Sequence, residues 1–431
     1  MIVSSSIDQD RMDFEAIETC LRDGLHRAGC TALEQLFAAM EQSLSSTAPA
    51  CADGHRLRSA GKRAKHMLTI LGPVDIRRLY FYDARCKHGH SPLDQVLDVE
   101  GMMFSPGVRN MMAYVGSKES FREAHEDLHR LAGLSIPAKS VERLSVAIGR
   151  EAEEYQWRCA PNSDLRQLGT GHRHETLYIA YDGTGIPVLE RETRGRTGKG
   201  ENEKAGTREI KVGCVFSQTR VNDDGYAVRD ESSTSYIASC EPSDDFQWRI
   251  AHHAQVRGLD RAHRVCVLGD GAPWIWTIAD EQFPGAHQIV DLYHARQHYI
   301  EVGKMFFVDE PKKLHQWLHK REKQLDKGDT SAVVRALCRL ESDSGHACEI
   351  RDKAIAYFRN NAHRMQYGKY RALGLFVGSG VIEAGCKTVV GQRLKRSGMH
   401  WSINSANSIV ALRCLFLGNQ WDDFWEDRAA A

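Results

Sequence analysis

The stretch Gly378-Ser-Gly-Val-Ile-Glu383-Ala-Gly-Cys-Lys387-Thr-Val-Val-Gly-Gln-Arg393-Leu-Lys395-Arg396 decides how this chain is read. Its apolar residues Val381, Ile382, Val389 and Leu394 recur at helical spacing. Glu383 sits in the first turn, Lys387, Arg393, Lys395 and Arg396 follow, and no further acid precedes Trp401. One carboxylate beside a basic face is what an enzyme needs to hold a metal ion next to a phosphodiester. Taken alone, the same residues also describe a surface helix with a Glu–Lys pair four apart. Glycines ahead of Lys387-Thr388 imitate a nucleotide-binding loop. Cys386 separates Gly385 from Lys387, however, and that loop needs the two adjacent.

The bulk properties narrow the field. A chain of 431 residues has room for two to three domains, and 42% apolar residues fill a sizeable core. Basic and acidic residues balance at 57 each, so no net field advertises a polyanionic partner. Local asymmetry does. Residues 51–90 carry nine Lys/Arg against three Asp, a net of +6, offset by acidic runs such as 151–154 and Asp422-Asp423. Such separation fits dedicated polyanion-binding faces, a solvated surface being the plainer alternative. The twelve cysteines lack a disulfide rhythm, and Cys214, Cys266, Cys386 and Cys414 lie in apolar segments, which fits a reducing compartment. No run reaches the roughly eighteen apolar residues of a membrane span, and no signal-peptide pattern opens the chain. The expectation is a cytoplasmic protein without a membrane partner.

Along the chain, residues 12–46 read as helix broken near Gly29, for packing or self-association. Leu68-Thr-Ile-Leu-Gly-Pro and Val74–Tyr82 read as two short strands of a basic hairpin within residues 51–100. Cys51, His55, Cys86 and His90 flank it, a set that a tetrahedral Zn²⁺ ribbon could use. Their Cys/His spacing is looser than the usual two-residue gap, and an ordinary basic hairpin is the alternative. Residues 101–165 are helical. Ser120–Leu131, the turn at Gly133 and the apolar period resuming at Ala138 form a helix-turn-helix pattern, which places Lys139 and Arg143 on an exposed, DNA-facing side.

From about residue 175 the pattern turns α/β. Strands are expected at Leu177–Tyr181, Ile210–Phe216, Ser233–Ser239, Arg264–Gly269 and His287–Asp291, with a helix over 244–257 and a glycine-rich loop from Arg191 to Arg208. Residues 294–377 are helical, and Asn404–Leu417 form one more apolar helix. Asp182 follows one strand, Asp270 ends another 88 residues later, and Glu383 opens a helix 113 residues beyond that. Sites in α/β sheets collect at the carboxyl ends of strands, where two such aspartates can meet. Clustered oxygen donors suit two hard Mg²⁺ or Mn²⁺ ions and an in-line phosphoryl transfer. Either Asp-Gly pair alone is equally a turn signal.

Three motifs carry a family resemblance: Tyr178-Ile-Ala-Tyr-Asp182-Gly-Thr-Gly-Ile-Pro, Val267-Leu-Gly-Asp270-Gly-Ala, and the opening stretch continued through Ser397-Gly-Met-His400-Trp401. In this order the chain resembles the DDE transposases of bacterial insertion sequences, and among them the ISKra family, relatives of Mutator-like elements. The resemblance runs from about residue 60 to about 425 and is most specific at Glu383. It implies an RNase H-like core in two parts (170–293 and 378–431), interrupted by a helical insertion (294–377); the N-terminal helices (1–50) precede the matched region. It implies Asp182, Asp270 and Glu383 as catalytic metal ligands, DNA ends and target DNA as partners, a homodimer or higher assembly, and a nucleoid-associated location. Asp291-Leu-Tyr-His294 is similar to an Asp/Cys-x-x-His signature of the relatives, with a supporting role for Asp291 and His294; a helix cap is the alternative. Lys387, Arg393, Lys395, Arg396, His400 and Trp401 become candidates to hold phosphates and stack an end base. The family's cysteine-rich zinc segment is replaced here by the histidines at 55, 88 and 90. A nuclease of the same fold without strand transfer, and a non-catalytic DNA-binding protein, are the two rival readings.

Overall fold

A computed structural model describes residues 7–8, 11–44, 54–85, 87–160, 176–198 and 205–430. The chain divides into two compact units, Met1–Ser145 with Trp425–Ala431, and Val146–Phe424. Among the described residues no helix is long and apolar enough to cross a membrane.

The first unit opens with α1 (Phe14–Ser43), capped by the Asp13 side chain. It runs through Gly29 without the expected break. A Cβ at that position would sit 2.7 Å from Leu71 Cδ1, so the glycine permits a close approach rather than ending the helix. Against α1 lies a ribbon of two twelve-residue strands, β1 (Arg58–Thr69) and β2 (Gly72–Asp83). The expected strands are corrected here: the turn falls at Ile70-Leu71, and β1 begins ten residues before Leu68. Met67, Val74 and Ile76 on one ribbon face pack with Phe37 of α1, Leu93 and Val99. Glu34 and Glu41 of α1 accept the Asp75 and Leu79 amides of β2. A third strand, β3 (His88–His90), pairs with β2 only over Phe81–Asp83. Helices α2 (Pro106–Lys118) and α3 (Phe121–Ala132) follow. A Ser120–Glu123 capping box starts α3, and left-handed Gly133 ends it at the turn expected there. The next helix, α4 (Ala138–Arg158), begins in the first unit and ends in the second.

The second unit is built on a mixed five-stranded sheet. Its strands are β4 (Thr176–Pro187), β5 (Thr207–Gln218), β6 (Ser235–Ser239), β7 (Arg264–Gly269) and β8 (His287–Val290), in the spatial order β6–β5–β4–β7–β8. The first three form an antiparallel meander; β7 and β8 run parallel to β4. Unbroken apolar runs such as Leu177–Tyr181 and Cys266–Leu268 are fully buried because helices cover both faces. On one face, Phe246 and Ile250 of α5 (Ser243–Val256) close over Gly213, where a Cβ would stand 2.6 Å from the isoleucine. The segment between β7 and β8 is α6 (Pro273–Gln282). After β8 come α7 (Leu292–Phe306), α8 (Pro311–Asp326), α9 (Thr330–Cys338) and α10 (Gly345–Asn361), the helical stretch expected over 294–377.

The decisive stretch is not one regular helix. A short α11 (Gly380–Gly385) passes into a π-helical turn over Cys386–Gly391 before an α-helical turn resumes at Gln392. Gly385 lies over Tyr236 of β6, too close for a side chain. The last long helix of this unit, α12 (Ile403–Leu417), is buried almost throughout. From it the buried Arg413 donates to the carbonyls of Thr388 and Val389 inside the π-turn.

Candidate functional site

Parallel pairing sets the site. Strand β7 pairs with β4 up to Leu268 opposite Ala180, and with β8 up to Gly269 opposite Val290. Continuing each register past the last pair brings Asp182, Asp270 and Asp291 into one row. Asp270 and Asp291 follow their strands, whereas Asp182, expected after its strand, lies within β4, which runs on to Pro187.

Asp182 and Asp270 face each other electrostatically. The Asp182 carboxyl is raised above its usual range, first by burial and then by the charge of Asp270; the Gly183 amide, the Cys386 thiol and His294 oppose the shift. Asp182 Oδ1 accepts the Gly183 amide at 2.7 Å, and Oδ2 accepts the Cys386 thiol at 3.7 Å. Asp270 Oδ1 accepts the Ala272 amide at 2.8 Å. Each carboxylate is thus fixed by a backbone donor in its own turn.

The helical stretch reaches this row. Tyr357 of α10 donates its hydroxyl to the Asp270 carbonyl at 2.8 Å, and its ring covers Gly271. With φ of +105° and a would-be Cβ only 2.6 Å from the ring, Gly271 admits no side chain. His298 stacks on Tyr357 at 3.8 Å, and His294, one turn earlier on α7, lies 5.3 Å from His298. Burial and His294 push His298 down to about 4, so its imidazole is neutral at pH 7.

Asp291 is a cap and more. Nearly fully buried, it accepts the His294 amide at the start of α7 through Oδ1 and the Ser379 amide through Oδ2. The Leu292 amide adds a bond to Val377 at 2.9 Å. Both carboxylate oxygens therefore serve backbone, and they tie the entrance of α11 to the strand row.

Glu383 is exposed on α11. Three residues on, the Cys386 thiol touches Asp182, so this segment lies beside the aspartates. Among the described residues, no three His, Cys, Asp or Glu side chains lie close enough together to hold a metal ion. The parallel register sets Asp182 beside Asp270, and the exposed Glu383 forms no metal-holding cluster with them among the described residues.

The basic candidates divide. Lys387, Lys395, Arg396 and His400 are exposed, with Lys395 donating to Thr184 at 2.5 Å. Arg393 and Trp401 do not fit a DNA-facing role and are corrected: both are buried, with the guanidinium 5.0 Å over the indole. The Trp401 Nε1–H donates to Leu394, and its backbone bonds Pro187 and Leu189 beside the end of β4. The π-turn rotates the residues after it, which is why Arg393 points inward. Exposed Lys139 pairs with Glu142, and Arg143 is exposed. Of the zinc candidates, Cys51 and Cys86 lie outside the described residues. His55 is half-buried, and His90 bonds Glu100 at 2.7 Å.

Sequence reasoning missed Cys386, Tyr357, His298 and Arg413. Only Cys386 carried a signal, standing one helical turn from Glu383.

Over residues 7–421 the chain matches the model of an uncharacterised protein family, UPF0236. No curated protein matches it. Among solved structures it is similar to the Drosophila P element transposase strand transfer complex, at 11% identity over 78% of this chain and 84% of that one, with a TM-score of 0.25. A score that low assigns neither fold nor function.

Proposed function

We propose a function for this chain, which belongs to the uncharacterised protein family UPF0236: it is a DDE transposase of the insertion-sequence type, acting on DNA by metal-dependent phosphoryl transfer. The observation that carries the reading is the pairing of Asp182 with Asp270, brought side by side from 88 residues apart on adjacent parallel strands. A three-stranded meander followed by two parallel strands supports an RNase H-like core, with α7–α10 as its helical insertion.

The donor chemistry at the row fits a hard divalent cation. Two carboxylates, one of them raised by burial and then by the charge of the other, each with an oxygen already held by backbone, make a seat for Mg²⁺ or Mn²⁺. Asp182 and Asp270 would hold the two ions of this chemistry, and Glu383 is the proposed third donor, supplied by approach of α11. When bound, such ions stabilise the attacking and leaving oxygens of an in-line displacement. The chain's own part is positioning. Gly183 and Ala272 amides orient the aspartates, Asp291 anchors α11, and Lys387, Lys395 and Arg396 attract the DNA backbone. A dimer synapsing two DNA ends completes the reading.

The test is nicking and joining of a plasmid carrying the DNA that flanks the chain's own coding sequence, with Mg²⁺ or EDTA. Wild type should nick, and Asp270→Asn should bind the DNA and not nick it. Nicking by Asp270→Asn removes that residue from the chemistry. Pre-cut ends separate the alternatives: joining to target marks a transposase, and cutting without joining marks a nuclease.

A further inference from the structure

We propose that the β1–β2 ribbon of the first unit is a phosphate-binding surface for duplex DNA, with Arg58, Lys62, Arg63 and Arg77 as its contacts. The ribbon has two unlike faces. Met67, Val74 and Ile76 bury one face against α1, while the other exposes Lys62, Ala64, His66, Asp75 and Arg77. Lys62 opposes Leu79 and Ala64 opposes Arg77, so Lys62 and Arg77 are diagonal neighbours on the open face, about 7–8 Å apart. Arg63 opposes Arg78 and Arg58 opposes Tyr82, on the Ile76 side of the ribbon. Both are exposed towards its open end, either side of an irregularity between Ser59 and Lys62 that contains left-handed Gly61, so that end carries cations on both faces.

The charge here is not cancelled locally. Asp75 is paired with His66, Asp83 with Arg85, and buried Asp94 with both Lys65 and Arg78. Glu34 and Glu41 are spent on backbone amides. Arg63 lies over the Tyr80 ring at 5.2 Å, and Arg58, Lys62 and Arg77 have no carboxylate partner among the described residues. Cations on β1 could simply guard a free sheet edge against strand addition. Arg77 does not suit that account, because the Asp75 and Leu79 amides on its edge of β2 are already taken by Glu34 and Glu41. A two-stranded ribbon of this length fits the major groove of B-DNA, whereas unpaired bases would need stacking platforms. The ribbon exposes only Tyr82 in that role; Tyr80 is occupied by Arg63 and Arg78, and Phe81 is buried.

This deepens the DNA reading above but requires no metal. The experiment measures binding of the full chain to a labelled 30-base-pair duplex by anisotropy across a KCl series, in EDTA. Each lost phosphate contact lowers the slope of log K against log salt by about 0.9. The Arg58→Ala/Lys62→Ala/Arg77→Ala variant should therefore lose about 2–3 from the slope, and the Lys62→Arg/Arg77→Lys variant should keep it, both with the wild-type melting temperature. An unchanged slope in the triple variant overturns the ribbon proposal and leaves the transposase reading standing. Equal loss on a single-stranded RNA probe overturns the assignment to duplex DNA. Slope loss together with no Mg²⁺-dependent nicking by wild type supports the ribbon and removes the transposase reading.

Discussion

Asp291 accepts the backbone N–H of Ser379, which lies 88 residues further along the chain, and so fastens the entrance of α11 to the end of β8. The same carboxylate caps α7 through its other oxygen. An asparagine can keep one of these bonds but turns an N–H towards the second donor. Asp291→Asn should therefore retain the fold with a lowered melting temperature, while Mg²⁺-dependent nicking falls more than tenfold. Asp291→Ala, which loses both bonds in a buried site, should cost about 2–4 kcal/mol in denaturant unfolding. Full nicking by Asp291→Asn would show that α11 needs no anchor there.

Tyr357 makes the helical stretch part of the aspartate row. Tyr357→Phe keeps the ring over Gly271 and removes only the bond to the Asp270 carbonyl, a loss of about 1 kcal/mol in stability. Its clearer effect should be weaker Mn²⁺ binding by calorimetry, several-fold below wild type. Gly271→Ala should be worse on both measures, since its φ and the Tyr357 ring each oppose a methyl group. Equal Mn²⁺ affinity in wild type and Tyr357→Phe would reduce Tyr357 to packing alone.

His253 gives the second unit an acid-sensitive core. It is buried beside Ser235, with Nε2 2.9 Å from the hydroxyl, and burial pushes its pKa down to about 4. A histidine lowered from 6.5 binds its proton more readily in the unfolded chain. Its contribution to stability is present above about 6.5 and is lost as pH falls towards 4, on the order of 2 kcal/mol. The melting temperature should drop across that window, and His253→Gln should flatten the drop. A steeper drop in the variant would assign the acid sensitivity elsewhere.

Much of this was legible because the sheet is local in its signals. The strand Arg264–Gly269 was read to the residue, and the aspartates after two apolar runs fell level because the strands are parallel, although β4 continues past Asp182 to Pro187. Side-chain facing after Glu383 was not legible. One wide turn at Cys386–Gly391 rotates everything downstream, so a basic residue counted as surface, Arg393, is buried against Trp401. Gly29 misled for a related reason: a glycine that ends a helix and one that admits Leu71 look alike until the partner is placed. Tyr357 had no sequence signal at all, because its target lies 87 residues away on another element.

The wide turn itself is testable through Arg413. This buried arginine donates to the Thr388 and Val389 carbonyls, and burial lowers its pKa only to about 10, so it stays charged at neutral pH. Charged donors to buried carbonyls are worth more than neutral ones, and a planar fork can serve two acceptors where an ammonium serves them poorly. Stability should fall in the order wild type, Arg413→Lys, Arg413→Met, with the last costing about 2–4 kcal/mol. Hydrogen exchange at 386–391 should rise in the same order before the sheet loosens, because the turn is held from α12 rather than by its own bonds alone. If exchange there stays at the wild-type level in Arg413→Met, the turn holds its own shape. The inward course of Arg393 would then have to come from its packing on Trp401.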